Sequence, residues 1–122
     1  MELEILEPEL TVCQPASLQD IDLDGPFYFI GRTDQELSLV CPTADAPANT
    51  VNREDGWRGF RIRGVLDFSL VGILSRLSAR LADNGIGLFA VSTYNTDYIL
   101  VKEEHFSRAL TLLAEAGYKL SE

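Results

Sequence analysis

The pattern of apolar and polar residues is most regular between Ser69 and Asn84, where it predicts an amphipathic helix. Apolar residues recur there at steps of three and four positions, which places them on one helical face: Leu70, Ile73, Leu74, Leu77 and Leu81. Gly85 is expected to end the helix, because glycine readily adopts the left-handed conformation that closes a helix. Either Asp67 or Ser69 is expected to be the N-cap, because a short side-chain oxygen can accept a bond from an unpaired backbone N–H group.

Shorter apolar segments predict strands on both sides of this helix. The strands are expected at 10–13, 27–30, 36–41, 58–63, 86–92, 97–102 and 118–120, and a second amphipathic helix at 103–116. In the strand at 58–63, Phe60 and Ile62 are expected to be buried, and Arg61 and Arg63 to be exposed. Residues 43–55 lack periodicity and predict a surface loop or linker. Both helices are expected on one face of a mainly antiparallel sheet.

A weak internal repeat relates the two halves of the chain. At an offset of 61, residues 27–30 align with 88–91 and residues 39–40 align with 100–101. The earlier strands, 10–13 and 60–63, align at an offset of 50. The sequence therefore predicts two halves, residues 1–55 and 56–122, of which the first has reduced, proline-interrupted versions of the helices in the second.

The charge of the chain argues against binding of nucleic acid. The formal net charge is −9. Residues 1–55 hold twelve acids and two bases, whereas residues 56–122 hold seven acids and eight bases. A nucleic-acid binder needs clustered bases that displace counterions from phosphates. Arg58, Arg61 and Arg63 form the only local cluster, and we expect them to pair with acids of the first half.

Membrane insertion, secretion and catalysis also find no support in the sequence. No apolar run approaches the ~20 residues that span a bilayer, and the acidic start lacks a secretory pattern. Cys13 and Cys41 are therefore expected to be reduced, buried thiols in a cytoplasmic protein. His105 is the single histidine, so no Cys–His or Ser–His pair is evident. Metal-ligand spacing is absent. We predict no cofactor, no metal and no enzyme activity.

Two segments carry a resemblance to a known family. GVLDFSLVGIL at 64–74, followed by FAVSTYNTDYILV at 89–101, resembles the ACT domain. Residues 57–64 and the ELSLVC segment at 36–41 fit the same group. The similarity is to small tandem-ACT proteins like the eukaryotic cytosolic arginine sensor, and to the regulatory domains of aspartate kinase. The resemblance is specific from Trp57 to Val101 and weaker before Phe27.

The resemblance implies an α+β, ferredoxin-like βαββαβ fold, with a reduced ACT-like half at 1–55 and a complete ACT domain at 56–122. It also implies an amino acid bound at the junction of two ACT units. The implied ligand residues lie in a loop and in a hairpin: Asp67, Phe68, Ser69, Leu70, Val71 and Gly72, then Ser92, Thr93, Asn95, Thr96 and Asp97. No segment of the first half matches 64–72, so a second complete site in one chain is not expected.

Elementary electrostatics gives these positions a physical role. The first turn of a helix presents unpaired N–H groups and a partial positive charge, which suit an α-carboxylate. Asp67 or Asp97 can accept charge-assisted hydrogen bonds from an α-ammonium. The alternative roles are structural: Asp67 as a plain N-cap, Asn95 and Thr96 as turn residues, and Gly72 for close packing.

The resulting functional prediction is a non-catalytic regulatory protein that binds an amino acid. Its expected partners are a second copy of the chain, in a homodimer, and a regulated enzyme or other protein. The alternative is a protein–protein interaction or scaffolding domain that has the fold without a ligand.

Overall fold

Seven strands and two α-helices succeed one another in residues 1–63 and 72–122, which are the residues that the computed structural model describes. The strands are β1 (Glu2–Pro15), β2 (Phe29–Arg32), β3 (Leu37–Pro42), β4 (Thr50–Ile62), β5 (Phe89–Ser92), β6 (Asp97–Lys102) and β7 (Lys119–Ser121). The helices are α1 (Ile73–Ala82) and α2 (Glu103–Glu115), with 3₁₀ turns at Leu18–Asp20 and Thr43–Asp45. The predicted α+β class is confirmed.

The chain divides into two compact units, and their residue boundaries differ from those of the predicted halves. Pro8–Trp57 forms the N-terminal unit, and Met1–Glu7 together with Arg58–Glu122 forms the helical unit. The long strands β1 and β4 therefore give residues to both units. The assignment of 1–55 and 56–122 as two ACT-like domains stays a prediction.

In the helical unit, both α-helices cover one face of the sheet. The neighbouring strands are β5, β6, β4 and β1 in that order, and β7 pairs with β1 in parallel. One continuous core joins residues of the helices and of the strands: Ile73, Leu77, Leu81, Phe106, Ala109 and Leu113 with Leu3, Phe60, Ile62, Ile99 and Val101. The prediction that both helices lie on one face is confirmed.

The start of β1 was not predicted as a strand, although its residues alternate. Leu3 is fully buried in the core. Glu2 and Glu4 instead pair with arginines in β4 and just after it: the Glu4 carboxylate accepts a 2.6 Å bond from Arg61, and Glu2 lies 3.3 Å from Arg63. Adjacent side chains of a strand point to opposite faces, so the glutamates occupy the face away from the core. The predicted pairing with acids of the first half is confirmed for Arg61 and Arg63. It is wrong for Arg58, which instead lies over the Phe106 ring and has no ion pair among the described residues.

In the N-terminal unit, the strands lie in the order β2, β3, β1, β4. Its core holds both cysteines, together with Ile21 and Leu39. Cys13 and Cys41 are free thiols that are almost completely buried. Burial raises the pKa of the Cys41 thiol to about 11, with smaller contributions from the nearby Cys13 and Asp45. The prediction of buried, unbridged cysteines is confirmed.

The predicted loop at 43–55 is wrong from Thr50 onward, where β4 begins. Most side chains at 50–55 are exposed, so this part of the strand has no apolar alternation that sequence analysis can detect. Contacts with β1 hold it instead. The Thr11 hydroxyl donates to Asp55 over 2.7 Å, and the Asn52 amide donates to Gln14 over 2.6 Å.

The internal repeat is real in the two hairpins, but the predicted offset of 61 is wrong by one residue. Phe29 pairs with Val40 in the first hairpin, as Phe89 pairs with Leu100 in the second. The hairpins therefore correspond at an offset of 60. A 3₁₀ turn follows β3 where the α2 helix follows β6, which agrees with the expected reduction of the first half.

Candidate functional site

The predicted hairpin residues form a tight turn between β5 and β6. The Thr93 N–H donates to the Thr96 carbonyl over 2.9 Å, and the Thr93 hydroxyl donates to the same oxygen over 3.1 Å. Tyr94 and Asn95 are exposed at the tip. Threonine and asparagine stabilise turns through such local bonds. The turn role that the sequence suggested for these residues is present.

Ser92 and Asp97 face each other at the base of this turn. They are register partners, and the Ser92 hydroxyl donates to Oδ1 of Asp97 over 2.6 Å. Ser92 is exposed and Asp97 is half-buried. The bond orients the Asp97 carboxylate at the end of the strand, where a ligand cation can reach it from solvent.

Thr96 connects the hairpin to the strand that leads into the predicted ligand loop. Its side chain is 6% exposed, and its hydroxyl donates to the Ile62 carbonyl over 2.7 Å. Ile62 is the last residue of β4. The hairpin turn is therefore fixed beside the point where the chain runs into residues 64–71. Five of the predicted site residues lie outside the described residues: Asp67, Phe68, Ser69, Leu70 and Val71.

Gly72 marks the N-terminal end of α1, which corrects the predicted start of this helix at Ser69. Gly72 is the N-cap, with a φ of 82°. An L-residue is strained at this angle, because its Cβ approaches the carbonyl oxygen. A Cβ added to Gly72 would also lie 2.8 Å from Nη1 of Arg76. The glycine thus allows the chain to turn into the helix and the Arg76 guanidinium to lie against it.

A cavity of about 410 Å³ opens beside this end of α1. Its lining residues come from α1, from the end of α2 and from the chain start: Ile73, Arg76, Arg80, Ala116, Gly117, Tyr118 and Met1. The Arg80 Nε–H donates to the Leu112 carbonyl over 3.2 Å, and its guanidinium lies 3.5 Å from the Glu115 carboxylate. The cavity therefore presents two guanidinium groups, one of which is held in place by α2.

Sequence analysis gave neither arginine a role. Their spacing of four residues, which puts side chains on one side of a helix, was the available signal. The proximity of α2, on which the cavity depends, has no counterpart in the local sequence. Arg76 and Arg80 can bind a carboxylate or another oxyanion through charge-assisted hydrogen bonds.

Within residues 1–63 and 72–122, no group of three or more histidine, cysteine, aspartate or glutamate side chains is arranged to hold a metal ion. No helix in the same described ranges is long and apolar enough to cross a membrane.

Comparison with known proteins identifies the family. The ACT domain family matches residues 52–115. No curated protein matches the chain. Among solved structures, a protein from Agobacterium tumefaciens is 34% identical, with a TM-score of 0.85 over 98% of this chain and 90% of the other.

Two more distant structures share the fold. A Vibrio cholerae protein described as a possible transport protein is 20% identical, with a TM-score of 0.69 over 92% of this chain and 86% of the other. The regulatory subunit of aspartate kinase from Thermus thermophilus is 10% identical, with a TM-score of 0.65 over 96% of this chain and 97% of the other. The family match covers more than half of the chain, and it agrees with the resemblance found in the sequence. This chain belongs to the ACT domain family.

Proposed function

We propose that this protein is a non-catalytic regulatory module of the ACT type that binds an amino acid. The observation that supports it most is the hairpin turn at 92–97, which the Thr96–Ile62 bond fixes beside the start of the loop predicted from the family. The proposed ligand residues remain those predicted from the sequence, in the segments 67–72 and 92–97. The proposed location is the cytoplasm, and the proposed assembly is a homodimer.

The element order of the helical unit supports a ferredoxin-like ACT domain. From Arg58 onward, the described elements follow the order strand, helix, strand, strand, helix, strand. The N-terminal unit has the same order with 3₁₀ turns in place of the helices. We therefore propose one complete and one reduced ACT-like domain.

The charges at the two ends of the proposed site suit the two ends of an amino acid. Arg76 lies at the start of α1, where the helix also carries its partial positive charge. A ligand carboxylate is stabilised there. Asp97, held by Ser92, presents a carboxylate that can accept a bond from the ligand ammonium.

Calorimetric titration with each of the twenty amino acids tests the proposal. At least one is expected to bind, and Asp97→Ala is expected to weaken that binding about ten- to a hundredfold, because a hydrogen bond to a charged group contributes roughly 1.5–3 kcal/mol. Ser92→Ala is a matched variant. It removes the same internal hydrogen bond and keeps the Asp97 carboxylate, so the loss of affinity should be smaller. Asp34→Ala, in the equivalent turn of the first hairpin, should leave the affinity unchanged.

Two results would contradict the proposal. If none of the twenty amino acids binds the folded protein, the alternative function, an interaction or scaffolding domain of ACT fold, replaces it. If an amino acid binds with the same affinity to wild type and to the Asp97→Ala variant, the assignment of the ammonium site to Asp97 is wrong.

A further inference from the structure

Two arginines line the cavity beside the start of α1, and an occupant can reach both of them. Arg76 is exposed, and the side chain of Arg80 is 38% exposed. Among residues 1–63 and 72–122, no carboxylate lies within ion-pair distance of Arg76. In a chain with a net charge of −9, two neighbouring cations at one cavity create a local positive potential, and such a potential attracts an anion.

Arg80 is held in position and keeps donors that an anion can use. Its Nε–H donates to the Leu112 carbonyl over 3.2 Å, which fixes the guanidinium relative to α2. The contact of Nη2 with the Glu115 carboxylate is long, at 3.5 Å, and the Glu115 side chain is 61% exposed. An exposed ion pair of this kind is weak. An anion with more charge and more oxygens can therefore displace Glu115 from Arg80.

Two guanidinium groups favour a phosphate group over a carboxylate. A carboxylate carries one charge and two oxygens, and a single guanidinium can bond to both oxygens in a bidentate pair. A phosphate monoester carries nearly two negative charges at neutral pH and has three acceptor oxygens. It can therefore bond to both arginines at once. Arginine is also the side chain whose planar donors match the geometry of phosphate best.

The rest of the cavity has room for an organic group. Its volume of about 410 Å³ lies within the roughly 300–1,000 Å³ of small-molecule pockets. The buried Ile73 and the half-buried Tyr118 line it together with the arginines. Covering apolar surface of this kind is favourable. A phosphate that is attached to a small organic group therefore fits this cavity better than inorganic phosphate does.

We propose that this cavity binds a small phosphate monoester, with the phosphate on Arg76 and Arg80 and the organic group against Ile73 and Tyr118. Glu115 competes with the phosphate for Arg80 and so lowers the affinity for the ester. The inference goes beyond the proposed function, which assigns an amino acid to the 67–72 and 92–97 segments. Arg76 lies near both sites, whereas Arg80 belongs to the phosphate site alone.

Nuclear magnetic resonance titration of the full chain tests the inference, with phenyl phosphate, glycerol phosphate, inorganic phosphate and acetate as probes. The Arg80 Nε–H resonance, which is identified by its loss in Arg80→Gln, reports binding at the guanidinium. At least one of the two esters is expected to shift it saturably, with inorganic phosphate binding more weakly and acetate more weakly still. Absence of a saturable shift with both esters overturns the inference, as does acetate binding as tightly as the esters.

Affinities of variants for the ester, measured from backbone amide shifts of α1, complete the test. Arg76→Gln and Arg80→Gln are each expected to weaken binding about ten- to a hundredfold, because a hydrogen bond between charged groups is lost. Arg108→Gln makes the same change of charge at an exposed position of α2 and should have little effect. Glu115→Gln is expected to strengthen binding about two- to fivefold, since it removes a weak competing ion pair. Glu103→Gln, at the other end of α2, should not.

Circular dichroism checks that each variant is folded. Equal weakening in Arg108→Gln and Arg80→Gln would reveal a general effect of charge and would overturn the inference, as would weaker binding in Glu115→Gln. Asp97→Ala separates the inference from the proposed function. This variant should keep the affinity for the ester while it weakens the binding of an amino acid, and Arg80→Gln should do the reverse. Loss of ester binding in Asp97→Ala overturns the phosphate site.

Discussion

The buried hydroxyl of Thr96 offers the sharpest test of how the hairpin is held beside the end of β4. Thr96→Val replaces the hydroxyl with a methyl group of nearly the same shape, so packing changes little. The variant loses the 2.7 Å bond to the Ile62 carbonyl in a position that is 6% exposed. Water cannot readily replace that bond.

The expected cost follows from the acceptor that is left behind. A buried carbonyl that loses its hydrogen-bond partner lowers the free energy of unfolding by about 1–3 kcal/mol. For a chain of this size, this corresponds to a fall in Tm of about 3–6 °C per kcal/mol. Thr111→Val is the matched control. It removes a 3.1 Å bond from a threonine hydroxyl to the Ser107 carbonyl, but at an exposed position of α2, where water can replace it.

Urea unfolding of the three proteins decides the question. Thr96→Val should lose about 1–3 kcal/mol of unfolding free energy, and Thr111→Val should stay within about 0.5 kcal/mol of wild type. Equal losses in the two variants, or no loss in Thr96→Val, would refute the reasoning that the Thr96–Ile62 bond anchors the turn.

Three further predictions concern the helix start, a thiol and the assembly. In urea unfolding, Gly72→Ala should lose at least about 1–2 kcal/mol of unfolding free energy, because an L-residue is strained at its φ of 82°. Gly85→Ala (φ 77° without a nearby atom) should lose less, and Gly87→Ala should be neutral. Equal stability of the Gly72→Ala and Gly87→Ala variants would contradict this prediction. The Cys41 pKa is raised from 9.0 to about 11 in the folded protein, so the contribution of the thiol to stability is complete below pH 9 and is lost as the pH rises toward 11. Relative to Cys41→Ala, wild type should lose up to about 2–3 kcal/mol of unfolding free energy over that range. Parallel pH profiles of the two proteins would contradict this prediction. Light scattering at tens of micromolar should show a homodimer, because open strand edges favour pairing with another copy, and a monomer would contradict the proposed assembly.

The sequence predicted those parts of the fold that have a local periodic signal. Strand β6 begins and ends at the predicted residues, and α2 is one residue shorter than predicted at its end. Both have an apolar face that depends only on nearby positions. The hairpin turn at 92–97 was also predicted, because a threonine side chain such as that of Thr93 bonds to the backbone of its own turn.

The remaining parts depend on contacts between distant residues. The first half of β4 is a strand because it pairs with β1, although most of its side chains at 50–55 are exposed. The start of β1 is acidic because its glutamates meet Arg61 and Arg63 across the sheet. Similarly, the cavity at Arg76 forms only when α2 is in place, so no local pattern indicates it.

The start of α1 shows how a local pattern can also mislead. The apolar spacing continues back to Leu70, and it predicted a helix from Ser69 with Asp67 or Ser69 as N-cap. Gly72 instead adopts a φ of 82° and is itself the N-cap. Apolar periodicity does not encode the backbone angle, and a glycine within a helical pattern was the sign that a break was possible at this position.

The central claim is that residues 67–72 and 92–97 form an amino-acid site, and a backbone chemical-shift map tests it most directly. The ¹H–¹⁵N spectrum of the full chain is recorded during titration with each amino acid that shows binding heat. The account predicts saturable shifts that are largest in these two segments and in the first turn of α1. Shifts confined to other residues, or an unchanged spectrum with all twenty amino acids, would contradict it.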